Sequence, residues 1–146
     1  SELGQAPQLP DATSLPDPRT MGLPTDGLFG RVEYRMAEVP GWAVGKPSGD
    51  PTSILWQRLD DDAVIDWPAL GLLCDSAPPP IMELGDLTSM TVQLTVHFHR
   101  LPEPRTWVAS KFTTRHVTDG FHEEDGELWD SNGNLLAQSR QLAILL

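Results

Sequence analysis

The sequence predicts an α+β fold in which a curved antiparallel sheet wraps around one central helix. Three observations lead to this prediction: a long alternating strand at residues 89–100, two tight hairpin turns in the second half, and one apolar segment with helical spacing. A sheet with a single, mostly apolar helix must bury that helix against one of its faces. The 146 residues suffice for one domain with a real core but not for two of ordinary size.

The first half of the chain is expected to be rich in loops. Residues 1–26 contain many prolines and few large apolar side chains, a composition that cannot fold by itself, so we expect a linker or arm. The domain proper is predicted to span residues 27–146. A first strand is expected at residues 28–36, a Pro/Gly-rich loop at residues 40–49 and a second short strand at residues 53–59.

The one helix is predicted to begin after Asp66, a residue type preferred at the N-cap, with Pro68 inside the first turn. Pro78, Pro79 and Pro80 must end or break it, because prolines lack the backbone donor that a helix needs. Apolar residues recur between these limits at helical spacing: Trp67, Leu70, Leu73 and Ala77.

Strands dominate the second half. Residues 89–100 alternate strictly, and a second β stretch is expected at residues 105–118. Asp119-Gly120 and Asn132-Gly133 are favoured in hairpin turns, so strands should follow at residues 121–130 and 135–145. The strand at residues 89–100 has two different faces. One face carries Met90, Val92, Leu94, Val96 and Phe98, and the other carries Thr91, Gln93, Thr95, His97 and His99.

Charge and composition exclude several classes of function. A net charge of −11 provides no positive field for a phosphate backbone, so nucleic acid is not an expected partner. The single cysteine, Cys74, excludes an internal disulfide and a Cys-based zinc site, which fits a reducing cytoplasm. No apolar run is long enough to span a membrane, and no signal peptide is recognisable.

Three segments resemble the bacterial acyl-CoA thioesterases of the type II, double hot-dog class. Leu94 to Pro102, with its Phe-His-Arg sequence, resembles the strand after that family's central helix. Gly126 to Asp130 and Asn132 to Gln141 resemble its final hairpin, which ends in a Ser/Thr-x-Gln element. The run Leu72-Leu73-Cys74-Asp75 resembles the family's helix, in which an aspartate follows small apolar residues. The resemblance covers roughly residues 28–146 and implies a hot-dog fold.

The resemblance also implies an acyl-CoA thioesterase without a covalent nucleophile, cofactor or metal. By position within the motifs, the catalytic aspartate is Asp75, the strand hydroxyl is Thr91 and the glutamine is Gln141. A thioester is already activated, so a positioned water, a nearby base and oxyanion donors suffice for its hydrolysis. Asp75 would accept the proton of the water, which Thr91 and Gln141 would hold.

Members of this class usually carry two hot-dog halves in one chain, and this sequence resembles only the second half. Either a first half is missing, as a chain beginning with Ser1 allows, or two copies pair. A lone unit would leave a sheet edge exposed, so we expect a homo-oligomer or a pairing with a second hot-dog domain. The expected candidates for binding the phosphates of coenzyme A are Arg100, Arg105, Lys111 and Arg115.

Several alternatives stay open. A non-catalytic module that binds acyl-CoA, or half of a larger assembly, would share the same motifs. An enoyl-CoA hydratase of the same fold would need a Gly-Asp-x-Asn-Pro-x-His element, which is absent. His97 with His99, or the acidic run at residues 60–62, could suggest a metal. Instead, we expect the two histidines to be a structural feature of their strand, and we expect residues 60–62 to form a solvated turn. Cys74 is expected to be a buried apolar residue.

Overall fold

The structure is a computed structural model that describes residues 4–21, 26–85 and 87–146. It contains one α-helix, α1 (Trp67–Leu73), among these residues. Its strands are β1 (Val32–Arg35), β2 (Thr52–Leu59), β3 (Ser89–Phe98), β4 (Val108–Thr113), β5 (Val117–Thr118), β6 (Phe121–Trp129) and β7 (Leu135–Leu145). Short 3-10 turns lie at Ala12–Ser14, Pro18–Met21, Gly27–Gly30, Gly41–Val44, Asp60–Asp62 and Pro80–Leu84.

These strands form an antiparallel sheet in the order β1-β2-β4-β6-β7-β3, and β5 pairs with β6 beside this path. Helix α1 buries Leu70 and Leu73 against the inner face of this sheet, beside residues such as Phe112 and Leu128. The predicted architecture, a curved antiparallel sheet around one helix, is confirmed. In the described part of the chain, no helix has the length and hydropathy needed to cross a membrane.

Helix α1 starts as predicted and ends earlier. The Asp66 side chain accepts a hydrogen bond from the backbone N–H of Ala69 at 2.9 Å, which caps the helix. The helix ends at Leu73, so Ala77 lies outside it, although Ala77 still packs against the core. Proline disfavours the α conformation of the residue before it, and Ala77 directly precedes Pro78.

The expected strand at residues 105–118 is divided into β4 and β5. Between them, the backbone N–H groups of Arg115 and His116 donate to the carboxylate of Glu123 at 2.7 and 2.9 Å. The neighbouring N–H of Thr114 donates to the carbonyl of Pro51 at 3.0 Å. These bonds take the backbone of residues 114–116 out of the regular ladder, so the pairing resumes only at Val117.

The strict alternation predicted for β3 fails at one point. Thr91 pairs with Ala143 of β7, and Gln93 pairs with Leu142, so Val92 is an extra residue that forms a β-bulge. Directly opposed residues of an antiparallel pair share a face. The bulge therefore places Thr91 on the same face as Leu94, whereas simple alternation would put them on opposite faces.

The proline-rich N-terminal segment contacts the domain where it is described. The indole N–H of Trp56 donates to the carbonyl of Pro10 at 2.8 Å, and Arg19 forms ion pairs with Glu33 and Asp60. Residues 1–3 and 22–25, which belong to the predicted arm and include Pro24, lie outside the described residues. The predicted boundary at residue 27 stays a prediction.

Candidate active site

Asp75 lies in the turn directly after α1, not in the helix itself. Its backbone N–H donates to the carbonyl of Leu72 at 3.0 Å, which continues the helical direction by one residue. Asp75 is exposed, although both of its chain neighbours, Cys74 and Ser76, are buried. The carboxylate is thus held at the boundary between the interior and solvent, where water can reach it.

A buried polar network fixes this turn to the sheet. The amide nitrogen of Gln57 donates to the hydroxyl of Ser76 at 2.9 Å, and Ser110 donates to the carbonyl oxygen of Gln57 at 2.7 Å. The hydroxyl of Tyr34 also donates to the carbonyl of Ser76. Fully satisfied buried networks of this kind make a local structure rigid. The network therefore restricts where the Asp75 side chain can lie.

Gln141 reaches Asp75 from the final strand. Its side-chain nitrogen donates to Oδ1 of Asp75 at 2.5 Å, although 66 residues separate the two along the chain. On β7, the inward positions around Gln141 are the small residues Ser139 and Ala143, all three of them buried. Small neighbours leave room for the long glutamine side chain beneath the end of α1.

Thr91 lies on the same sheet face as Gln141 because of the bulge at Val92. Its pairing partner Ala143 is two positions from Gln141 on β7, and both point inward. The Thr91 side chain is exposed, and no hydrogen bond joins it to Asp75 or Gln141 in the described residues. The structure therefore brings Asp75 and Gln141 into direct contact and places Thr91 nearby on the same face.

Two further polar residues on this face were not singled out from the sequence. Glu124 of β6 is directly opposite Gln141, and His122 is opposite Ala143. Glu124 is 5% exposed and His122 2%. Burial, and to a smaller extent the charge of Asp75, raises the pKa of Glu124 to about 8. The alternation of residues 121–129, in which both share a face with buried Leu128, was the signal that could have identified them.

Cys74 does not have the properties of a nucleophile. Burial raises the pKa of its thiol to about 12, so the reactive thiolate is not available at neutral pH. Its environment fits the predicted role of a small buried residue in the core around α1.

The other candidates from the sequence lie apart from this site. His97 and His99 are exposed, and His99 is within hydrogen-bonding distance of Gln138. In the acidic run, Asp60 and Asp62 form ion pairs with Arg19 and Arg58, as expected of a charged turn. Within residues 4–21, 26–85 and 87–146, no group of three or more His, Cys, Asp or Glu residues could hold a metal ion.

The surface groove and the basic residues give no independent indication of the Asp75 site. A groove of about 450 Å³ lies between residues 36–42, Pro78 and Glu83, and Asp75, Thr91 and Gln141 do not line it. Of the four basic candidates, Arg115 forms an ion pair with Asp125 at 2.5 Å. Arg100, Arg105 and Lys111 are exposed.

Comparison with known proteins identifies the family. The sequence model of the acyl-CoA thioesterase C-terminal domain matches residues 5–145. No curated protein sequence matches the chain.

Three solved structures illustrate the similarity of fold. A conserved hot-dog protein of unknown function from Alicyclobacillus acidocaldarius superposes with a TM-score of 0.82 at 22% identity, covering 100% of this chain and 56% of that one. A candidate thioesterase II from Thermobifida fusca has a TM-score of 0.80 at 29% identity, with 99% and 55% covered. A hypothetical thioesterase from Streptococcus pneumoniae, solved with coenzyme A, has a TM-score of 0.62 at 12% identity, with 77% and 85% covered.

The chain spans just over half the length of the first two of these proteins. It has the hot-dog fold, as the motifs at residues 94–102 and 126–141 predicted. The chain belongs to the acyl-CoA thioesterase C-terminal domain family.

Proposed function

We propose that this domain hydrolyses acyl-CoA thioesters with a water molecule held by Asp75, Thr91 and Gln141. The observation that supports the proposal most strongly is the hydrogen bond from Gln141 to Asp75, which joins the helix end to the last strand. The two polar residues that meet there are those expected from the family motifs, and one of them is exposed to solvent.

The chemistry follows from the arrangement of the carboxylate. Oδ1 of Asp75 accepts from Gln141, which leaves Oδ2 to accept the proton of the attacking water. The water oxygen forms a bond to the thioester carbon, and the carbon–sulfur bond of the tetrahedral intermediate then breaks. The sulfur leaves as a thiolate and takes up a proton, so the products are a carboxylic acid and coenzyme A. Thr91 contributes a hydroxyl on the same sheet face, toward the water.

The substrate class is proposed from the family and from a structural relative. The Streptococcus pneumoniae protein was solved with coenzyme A, and that ligand is proposed here for the present chain. Because the overall charge is −11, the phosphates need a local basic surface. Arg100, Arg105 and Lys111 are the proposed contributors, since Arg115 is already engaged by Asp125.

The second candidate is a module that binds acyl-CoA without turnover. The exposure of Asp75 favours it, because an exposed carboxylate on a single domain does not enclose an acyl chain. Under this alternative, a second hot-dog domain would supply the missing wall or the chemistry itself.

The test is release of free thiol from acyl-CoAs, from acetyl to palmitoyl, measured beside calorimetric binding of the same compounds. Hydrolysis predicts thiol release that saturates with substrate and prefers certain chain lengths. Saturable binding without thiol release would overturn the hydrolase and support the binding module. Absence of both would reject acyl-CoA as the ligand.

A further inference from the structure

Glu124 lies beside the catalytic pair without belonging to the family motifs. It is opposite Gln141 in the β6–β7 register, and opposed residues in antiparallel strands share a face with their Cβ atoms about 5 Å apart. Gln141 in turn donates to Asp75. Gln141 therefore has Glu124 beside it on the neighbouring strand and Asp75 at the end of its side chain.

The carboxyl group of Glu124 is buried and incompletely bonded. Its Oε2 is inaccessible to solvent and has no hydrogen-bond partner among the described residues. A buried carboxylate without a partner is unfavourable by several kcal/mol, and such groups normally keep their proton instead. The charge of Asp75 adds to this preference, since a nearby negative charge disfavours ionisation of a second carboxyl group.

We propose that Glu124 is a positioning residue for the hydrolysis, which as a neutral acid holds the Gln141 amide with its nitrogen toward Asp75. This inference rests on the proposed function. The side-chain amide of Gln141 has an oxygen that accepts hydrogen bonds and a nitrogen that donates them. A protonated Glu124 offers an O–H donor and so favours the amide oxygen, whereas an ionised Glu124 favours the nitrogen. A neutral Glu124 takes the amide oxygen and leaves the nitrogen for Asp75. An ionised Glu124 competes with Asp75 for that nitrogen.

The proton on Glu124 would thus determine which way the amide points. Burial first, and the Asp75 charge second, raise the pKa of Glu124 to about 8, so it is neutral at physiological pH. The site then contains one negative charge, on Asp75, where the base is needed.

Few other titratable groups face Glu124. Asp75 acts on it from the turn after α1, and the adjacent Cys74 thiol stays protonated because burial raises its pKa to about 12. His122 shares the inner face of β6, and neither ring nitrogen has a partner among the described residues. The neighbours from β7, from β3 and from the residue after β4 are uncharged: Ser139, Gln141, Thr91 and Thr114. Glu123 and Asp125 point to the opposite face of the sheet, where they pair with His116, Arg115 and Arg140.

The first test is the pH profile of kcat/KM, with uncatalysed thioester hydrolysis subtracted. For the unsubstituted protein, activity should fall as the pH rises through about 8. Glu124→Gln, which is neutral at every pH, should stay within about threefold of the unsubstituted protein at neutral pH and lose the alkaline fall. Glu124→Ala should lower kcat by about tenfold or more, the contribution of one hydrogen bond to a catalytic group.

Two control variants make this test specific. Glu123→Gln changes the next residue of the same strand on the opposite face, and it should keep the alkaline fall. His122→Gln should keep it as well. If the fall persists in Glu124→Gln, or disappears in His122→Gln instead, the inference is overturned.

A second measurement needs no turnover. The ¹³C resonance of the Glu124 carboxyl group, identified by its loss in Glu124→Gln, should titrate near pH 8 together with the side-chain amide of Gln141. In Asp75→Asn its midpoint should fall, because one of the two causes of the raised pKa is removed. A midpoint in the ordinary glutamate range would overturn the inference even with full activity. If this titration is seen but no thiol is released, the proposed function fails, and so does the role of Glu124 in hydrolysis. The conclusion that Glu124 is a neutral acid at physiological pH would remain.

Discussion

At the scale of single residues, the site depends on one contact between distant parts of the chain. Gln141 and Asp75 are hydrogen-bonded although they come from the last strand and the turn after α1. The aspartate is exposed and the glutamine is 7% exposed, so the proposed base is accessible while its partner is held by the core. This difference suits a water-activating pair, because the base must meet water and the orienting group must not move.

Replacing the proposed base separates catalysis from folding. Asp75→Asn should keep the fold and acyl-CoA binding and lose roughly 10²–10⁴ in kcat, the usual contribution of a positioned general base. The measurement is thiol release at saturating substrate, with circular dichroism as the folding check. Asp50→Asn, at another exposed aspartate, is the matched control and should leave kcat unchanged. A well-folded Asp75→Asn protein with normal turnover would remove Asp75 from the mechanism.

At the scale of elements, the bulge in β3 decides which face Thr91 occupies. Thr91 and Gln93 pair with the consecutive residues Ala143 and Leu142, so deleting Val92 would join them in a regular ladder with both faces unchanged. Thr91 should therefore still face inward after the deletion.

The deletion should therefore leave the Thr91 hydroxyl in the site. Thr91→Val should lower kcat about tenfold, the value of one hydrogen bond in the transition state. Deleting Val92 should keep kcat within about threefold of the unsubstituted protein. Val92→Ala, which keeps the bulge, and Thr95→Val, on the outward face, should behave as controls. Normal turnover in a folded Thr91→Val protein would show that Thr91 has no part in the site.

Glu83 organises the Pro/Gly-rich loop between β1 and β2. Its two carboxylate oxygens accept from the backbone N–H groups of Gly41 and Ser48 at 2.8 and 2.6 Å. A Cβ at position 41 would lie 2.3 Å from the carbonyl oxygen of Lys46, so only glycine fits there. Burial alone would raise the pKa of Glu83, but the backbone donors of Ser48 and Gly41 outweigh it and lower the pKa.

Glu83→Gln should destabilise the protein by about 1–3 kcal/mol at neutral pH, because one buried backbone N–H loses its acceptor. A lowered pKa contributes stability that is present above the ordinary glutamate value and is lost as the pH falls through the folded value. The difference from the unsubstituted protein should therefore shrink in acid. Urea unfolding at several pH values measures it, with exposed Glu38→Gln as the control. A difference that grows in acid would contradict this assignment.

At the scale of the whole molecule, β3 is an edge strand with an exposed apolar surface. Met90 is exposed on its outward face, and Leu142 of the adjacent β7 continues the surface. Uncovered edges and apolar patches of this kind are typical of surfaces that associate. The chain also spans just over half the length of the Alicyclobacillus acidocaldarius and Thermobifida fusca proteins.

We expect at least a dimer in solution, or a pairing with a second hot-dog domain. Light scattering at micromolar concentration measures the mass, and Met90→Glu should weaken the association by placing a charge on the covered surface. Glu substitution of Val44, which is equally exposed but far from β3, is the matched control. A stable monomer in a preparation without other polypeptides would contradict the expectation.

The sequence by itself determined the features that depend on local patterns. The hairpins at Asp119-Gly120 and Asn132-Gly133 and the N-cap at Asp66 follow from turn and capping chemistry, which acts within a few residues. The motifs around Asp75 and Gln141 indicated the family, and the family profile confirms it. The roles of Asp75, Thr91 and Gln141, and the cytoplasmic location, stay predictions.

Only the tertiary structure decided the features that depend on a partner element. The face of Thr91 is set by the bulge at Val92, which exists only in the register with β7. The neutral state proposed for Glu124 depends on burial between strands and on the charge of Asp75, 49 positions away in the chain (124 − 75). Alternation and turn signals depend only on residues within one segment. Register and burial depend on the neighbouring strand and on the helix that packs on the sheet, so no local pattern contains them.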